Sequence, residues 1–304
     1  MFYTGGMRAE YREEACRSAL NRVRGMPFAW SLNPYTGCVH RCTFCYVRAF
    51  ELRADRPSDD RYGRSIRVKV NVADVLAREL AQPSWSGEQV AIGAATDPYQ
   101  PAEGRYRLTR ACIGALGQAS SPFGIITRGP LIVRDVDVLQ EAARRTDVSV
   151  MFSVPTLDQD VWRTTEPGTA PPRQRLRALS TLVDAGIEAS VGMAPILPGL
   201  SDRPAQLAEV VKAARAAGAT KVWANLLYLK PGTKEHFLET LAQDWPEELE
   251  RYERLYAQRA YLPRAVADPV RDRVRSLARK HGVGDRRSRP LAPAPKPVQL
   301  TLGF

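Results

Sequence analysis

Cys38, Cys42 and Cys45 fall in the run Asn33-Pro34-Tyr35-Thr36-Gly37-Cys38-Val39-His40-Arg41-Cys42-Thr43-Phe44-Cys45-Tyr46, a Cys-x3-Cys-x2-Cys spacing with an aromatic residue before the third Cys. Three thiolates this close on one loop can hold three corners of a cubane iron–sulfur cluster. The fourth iron then has no protein ligand. An iron left open in this way can chelate S-adenosylmethionine and supply the single electron that cleaves it to a 5′-deoxyadenosyl radical, a chemistry that belongs to the cofactor. The rival is zinc. A structural zinc site takes four Cys or His ligands. Cys16 and Cys112 are distant in sequence, and the histidines are His40, inside the loop, His236 and His281. The spacing favours the cluster.

The elements that must position this loop can be read from hydrophobic pattern. Short apolar runs occur at 28–32, 90–95, 124–127, 148–154, 187–196 and 221–229. Each has the length of a strand, and several are rich in Val and Ile. Amphipathic stretches lie between them at 72–80, 109–116, 131–145, 173–185 and 205–217, the last two stopped by Gly186 and Gly218. The alternation predicts an α/β fold, a parallel sheet of six βα units with the cysteine loop after the first strand. Active sites of such sheets gather at the C-terminal strand ends. The cysteine loop, Thr96-Asp97-Pro98-Tyr99, Thr127-Arg128, Ser153, Pro195 and Tyr228-Leu229-Lys230 are therefore expected around one cavity. The basic segment from Arg105 to Arg110, with Tyr99 and Arg134, could contact a phosphate backbone while an aromatic ring stacks a displaced base. The alternative for that segment is a solvated helix start.

Around this core, over 29–265, the sequence predicts an N-terminal extension over 1–28 with a helix between Glu10 and Arg24. It also predicts a C-terminal helix over 266–281 and a Pro- and Arg-rich tail over 282–304 that behaves as a linker. The chain has 304 residues, 44% of them apolar, a size at which α/β barrels form single domains. It has no run of about 18 apolar residues, the length of a transmembrane helix, and its first residues lack the apolar core of a secretory signal. Five cysteines make no disulfide framework, and an oxygen-sensitive thiolate site fits a reducing cytoplasm. The net charge is +11, from 44 Lys and Arg against 33 Asp and Glu. A genome rich in G and C accounts for Arg over Lys but not for this excess, which favours a polyanionic partner such as nucleic acid.

These residues resemble the radical S-adenosylmethionine superfamily and, within it, the group related to spore photoproduct lyase. The likeness rests on the cysteine run, on Ala95-Thr96-Asp97-Pro98-Tyr99-Gln100-Pro101 with Leu108-Thr109-Arg110, and on Thr127-Arg128-Gly129-Pro130-Leu131 with Arg134-Asp135. It continues through Thr165-Glu166-Pro167 with Arg175-Leu176, Ala185-Gly186-Ile187, and Pro195-Ile196-Leu197-Pro198-Gly199-Leu200-Ser201-Asp202. The resemblance implies a partial (β/α)6 barrel, a 4Fe–4S cluster, bound S-adenosylmethionine and an external electron donor of the flavodoxin or ferredoxin type. Carried over by position, Cys38, Cys42 and Cys45 are cluster ligands and Phe44 and Tyr46 line the adenine side. Thr96 and Asp97 lie where the methionine amino group binds, Arg128 pairs the methionine carboxylate, and Ser153 contacts the ribose. Strand-end capping is the alternative for Thr96 and Ser153. One departure stands out. The lyases carry a hydrogen-donating Cys near the end of the second strand, where this chain has Ala94 and Ala95.

The final residues, Gln299-Leu300-Thr301-Leu302-Gly303-Phe304, resemble the Gln-Leu-x-Leu-x-Phe peptides by which bacterial repair enzymes and polymerases dock on the DNA sliding clamp. Gln299 would supply an amide, and Leu300, Leu302 and Phe304 apolar anchors. Folding back onto the core is the alternative. Three readings of function remain open at this stage. The first is radical chemistry on a nucleic-acid lesion or base, and the second is the same chemistry on a protein or metabolite. The third is a cluster-bearing nucleic-acid-binding or redox-sensing protein without turnover.

Overall fold

The structure, a computed structural model, describes residues 9–283. The tail residues Gln299, Leu300, Leu302 and Phe304, most of the linker before them and residues 1–8 lie outside the described residues. The described strands are β1 (Glu10–Glu14), β2 (Leu20–Arg22), β3 (Trp30–Leu32), β4 (Tyr35–Thr36), β5 (Ser65–Lys69), β6 (Val90–Ile92), β7 (Phe123–Thr127), β8 (Val148–Ser153), β9 (Glu188–Ile196) and β10 (Val222–Leu226). Seven of them form one sheet in the order β10-β9-β8-β7-β6-β3-β2. Within it β3, β6, β7, β8, β9 and β10 run parallel, and β2 lies antiparallel against β3 at one edge. These are the six expected strands in chain order. β3 and β10 end far apart in the sheet order, so six βα units form an open, partial (β/α)6 barrel.

Alternation along the strands sets the two faces. Phe123, Ile125 and Thr127 of β7 are buried, while Gly124 and Ile126 between them are half-buried. β8 repeats the pattern with Val148, Val150 and Phe152. The buried set meets the helices Leu108–Gln118, Val136–Ala143, Pro172–Asp184 and Pro204–Ala216. A helix over Arg264–Lys280 closes the β10 edge, packing on β10 and on the helix Pro204–Ala216. No helix among the described residues is long and apolar enough to cross a membrane.

Two local expectations are corrected. The segment from Glu10 to Arg24 is not helical but carries β1 and β2. Its backbone groups find partners far along the chain. The Asn71 side chain bonds both the amide and the carbonyl of Cys16, and Glu79 accepts from the amides of Ala19 and Leu20. Ala15, Leu20 and Val23 are also too unevenly spaced to make a helical stripe. The helix expected over 131–145 divides into a 3-10 turn, Pro130–Asp135, and an α-helix, Val136–Ala143. The division falls where buried Asp135 accepts from Arg110 and Arg134. A second sheet, in the order β1-β5-β4, was not anticipated. β5 reads Ser65-Ile66-Arg67-Val68-Lys69, with Ile66 and Val68 buried, and it forms one wall behind the cysteine loop.

Candidate active site

The cysteine loop leaves the large sheet after β3 and turns back at Gly37, whose φ is +87°. A Cβ there would lie 2.9 Å from the Ser65 carbonyl oxygen of β5, so both the turn and the close approach require glycine. The residues after β6 then fix the loop. Thr96 Oγ1 donates to the Gly37 carbonyl at 2.7 Å, and Gln100 Nε2 donates to the same oxygen at 3.1 Å. Gln100 Oε1 accepts from the Val39 amide at 3.2 Å, so one side chain holds the backbone on both sides of Cys38.

A second clamp comes from Thr165 to Thr169. The Thr43 amide donates to the Thr165 carbonyl at 2.9 Å, and the Gly168 amide donates to the His40 carbonyl at 3.1 Å. A Cβ on Gly168 would fall 2.3 Å from the Val39 carbonyl oxygen, and one on Gly63 would fall 2.3 Å from that of Cys38. Beyond the third cysteine, Thr233 Oγ1 donates to the Cys45 carbonyl at 3.1 Å. The buried Arg48 guanidinium bonds the Ser58 and Asp59 carbonyls and lies 4.6 Å from the Tyr62 ring centroid. The loop is thus held from four separate segments before any cofactor binds.

Cys38 and Cys42 are buried, Cys45 is half-buried, and all three are free thiols. Cys38 and Cys45 share an apolar pocket with Val47, Tyr62 and Ala95. The Tyr62 hydroxyl lies 3.6 Å from Cys45 Sγ. Burial pushes the Cys42 thiol well above its ordinary pKa, with Arg128 pulling the other way, and burial raises Cys45 as well. Loading a metal group must therefore displace protons from these thiols. Among the described residues no three Cys, His, Asp or Glu side chains converge as ligands of a single metal ion. A cubane sets its three thiolates on separate corners, farther apart than four ligands round one zinc. Three thiols on a clamped loop, with glycines where a Cβ would intrude on its backbone, fit the cluster.

Arg128, directly after β7, reaches into this pocket. Its charge acts on Cys42, and its guanidinium carbon lies 5.7 Å from the Phe44 ring centroid. Nε donates to Glu166 Oε1 at 2.8 Å, while Arg175 Nη2 donates to Glu166 Oε2 at 2.5 Å. Arg175 also donates to the Ser153 carbonyl at 2.7 Å, tying the end of β8 into the same network. Asp97 accepts from the Thr127 hydroxyl at 2.7 Å, from the amides of Arg128 and Tyr99 at 2.6 and 2.9 Å, and faces His40 Nδ1 at 3.3 Å. Burial alone would raise Asp97, but His40, Thr127 and the Arg128 amide outweigh it and hold the carboxyl at about 2.

Cys38, Cys42, Cys45, Phe44, Arg128, Thr96 and Asp97 are therefore in one assembly. Within it the side chains of Thr96 and Asp97 are engaged with the protein's own loop and strand ends. Phe44 is buried against the core, whereas Tyr46 is 42% exposed and packs edge-to-face on Phe50. One expectation is overturned in part, since Arg105 and Arg107 remain exposed. Tyr99 is 2% exposed and stacks no base, and Arg110 and Arg134 are bound to Asp135, Asp137 and Glu103. Gln100, Glu166, Arg175 and Thr233 carry positions that the sequence reading gave no role. Gln100 was the most accessible of these, since a polar residue four after Thr96 on the same turn is placed to bond what Thr96 bonds.

A parallel, open βα sheet with a clamped three-cysteine loop at the C-terminal strand ends defines the architecture of a cluster-dependent radical enzyme. The model of the radical SAM superfamily matches residues 32–211, more than half of the chain, and the chain belongs to that superfamily. Its enzymes use a 4Fe–4S cluster with S-adenosylmethionine and need an electron donor. An uncharacterized protein of Mycobacterium tuberculosis (strain ATCC 25618 / H37Rv) is 39% identical over 298 residues, 96% of this chain and 88% of the relative. An uncharacterized protein of Methanocaldococcus jannaschii is 24% identical over 238 residues, 77% of this chain and 83% of the relative. Among solved structures, a spore photoproduct lyase mutant with bound AdoMet and dinucleoside spore photoproduct shares the fold at a TM-score of 0.69 and 16% identity, over 93% of this chain and 86% of that one.

Proposed function

We propose that Cys38, Cys42 and Cys45 carry the 4Fe–4S cluster and that the radical made there is directed at a base or lesion in nucleic acid. When bound, the cluster and S-adenosylmethionine supply the one-electron chemistry that yields the 5′-deoxyadenosyl radical. The observation that carries the reading is the clamped cysteine pocket with the Arg128 cation beside Cys42. The Arg128 side chain, 19% exposed and braced by Glu166, is set to receive the methionine carboxylate. Phe44 gives the same pocket an apolar wall, and the loop's fixed backbone keeps side chains, whose C–H bonds such a radical would attack, in fixed positions.

Nucleic acid as substrate is supported by the net charge of +11 and by the fold shared with a lyase solved with a dinucleoside photoproduct. A thiol that quenches a product radical is not part of the proposal. Ala94 and Ala95 follow β6, and Cys112 is fully buried in the helix Leu108–Gln118. The tail peptide with Gln299, Leu300, Leu302 and Phe304 is kept as the proposed clamp-docking element on its sequence alone.

Anaerobic reconstitution with iron and sulfide, reduction, and quantification of 5′-deoxyadenosine test the reading. DNA or RNA is expected to raise the rate. Deoxyadenosine formation indifferent to nucleic acid moves the substrate to a protein or metabolite, and iron without any cleavage removes the enzyme reading. Arg128→Ala is expected to weaken S-adenosylmethionine binding by about 10- to 150-fold, the loss of a charge-assisted hydrogen bond worth about 1.5–3 kcal/mol, with iron content unchanged. Calorimetry that finds equal affinity makes Arg128 a brace of the pocket and not a ligand contact.

A further inference from the structure

Tyr228 and Tyr261 come together at the end of β10, and we propose that they form a stacking platform for the bases of a single-stranded nucleic acid at the mouth of the active site. The inference rests on the nucleic-acid reading above and names the surface that would bind it. The two rings lie 4.2 Å apart between centroids at an interplanar angle of 33°. Tyr261 is 60% exposed, the most exposed large apolar side chain among the described residues.

The exposure is built, not incidental. Leu227 and Leu229, on either side of Tyr228, are each 1% exposed, and Leu262 after Tyr261 is buried. The Leu229 amide donates to the Ala260 carbonyl at 2.9 Å, so one backbone bond holds the two ring-bearing segments together. The rings are thereby oriented before any ligand arrives, which lowers the ordering entropy of stacking.

Charge around the platform points to the ligand. Lys230 Nζ lies 5.6 Å from the Tyr228 ring centroid, and exposed Arg259 and Arg264 flank Tyr261 in sequence. Among the described residues, none of these three cations has a carboxylate partner. Several cations nearby in sequence are paired, Arg251 with Glu248, Arg254 with Glu250 and Arg271 with Asp268. An open aromatic surface among unpaired cations is what single strands use, with bases on rings and phosphates on cations. A protein partner would instead favour aromatic anchors within a patch depleted of Lys.

Place completes the argument. Tyr228 follows the C-terminal end of β10, the end at which the cysteine loop sits. Four residues on from Tyr228, Gly232 packs against Ala49 and Leu52, and Thr233 bonds the Cys45 carbonyl. The platform loop is therefore joined to the third cysteine. Tyr99, beside the basic segment, is buried, so the exposed rings here take the part of the stacking aromatic.

The test uses the full chain, anaerobically reconstituted, and a fluorescein-labelled oligothymidylate in fluorescence polarisation at low salt. Tyr261→Ala is expected to raise Kd about 5- to 150-fold, the equivalent of about 1–3 kcal/mol for one stacked base, and Tyr261→Phe to leave it near wild type. Lys230→Ala is expected to flatten the slope of log affinity against log salt by about 0.7, one phosphate contact on a single strand. Iron content and melting temperature serve as controls of folding for each variant. Oligonucleotide binding by wild type with unchanged Kd in Tyr261→Ala overturns the platform and leaves the nucleic-acid reading standing. A wild-type chain that binds no oligonucleotide overturns both.

Discussion

Cys42→Ala is expected to leave the anaerobically reconstituted protein without its iron, without broad visible absorption and without 5′-deoxyadenosine formation. Three thiolates are the whole of the proposed protein ligand set, so losing one removes a third of the attachment. No neighbour replaces it. Cys16 lies between β1 and β2, Cys112 lies in the helix Leu108–Gln118, and His40 faces Asp97 at 3.3 Å. The fold should survive the change. Cys42 behaves as a small buried apolar residue in the free protein, where burial keeps its thiol neutral, and alanine fits the same space. Iron and sulfide content, absorption and circular dichroism together separate loss of ligand from loss of fold. A variant that keeps a full, reducible cluster sinks the assignment of ligands.

The parts of this molecule that sequence makes legible are those encoded locally. Val90–Ile92, Val148–Ser153 and Glu188–Ile196 are largely apolar runs of strand length, and such runs read as strands whatever packs against them. The cysteine loop is legible for a similar reason, since a ligand set within eight residues needs no tertiary information. What the sequence conceals depends on distant partners. The segment Glu10–Arg24 looks helical only until Asn71 and Glu79 take its backbone groups. Tyr99 and Tyr261 are both aromatics near arginines, and only tertiary packing, which sets Gly129 against Tyr99 and leaves Tyr261 open, separates a buried ring from an exposed one. Glu166 stands in a Thr-Glu-Pro run with no inherent role. Its function arises because β7, the helix Gln159–Thr165 and the helix Pro172–Asp184 bring Arg128, Glu166 and Arg175 to one point.

That point carries the largest stability effect expected in the chain. Glu166 is 1% exposed and lies between two guanidiniums, one of them, on Arg175, fully buried. Removing the carboxylate leaves Arg175 charged and unpaired in a dry site. Glu166→Ala is expected to destabilise the protein by about 3–5 kcal/mol, the range for a broken buried ion pair. The same change frees Arg128 from its brace, so S-adenosylmethionine affinity should fall even in molecules that remain folded. The pH dependence fixes the sign. Burial would raise the Glu166 carboxyl, but Arg175 and then Arg128 outweigh it and hold it below its ordinary value. A carboxyl depressed in the folded state adds stability above its unfolded pKa, about 4.3, and loses that contribution as pH falls through the folded value. Urea unfolding of wild type at pH 7 and at progressively lower pH should therefore show a loss that Glu166→Gln, already without the charge, shows more weakly. Equal unfolding midpoints for wild type and Glu166→Ala at pH 7 would mean that water or a rearranged Thr169 satisfies Arg175. Glu166 would then be a bystander to the cysteine pocket, not the brace that sets Arg128 in it.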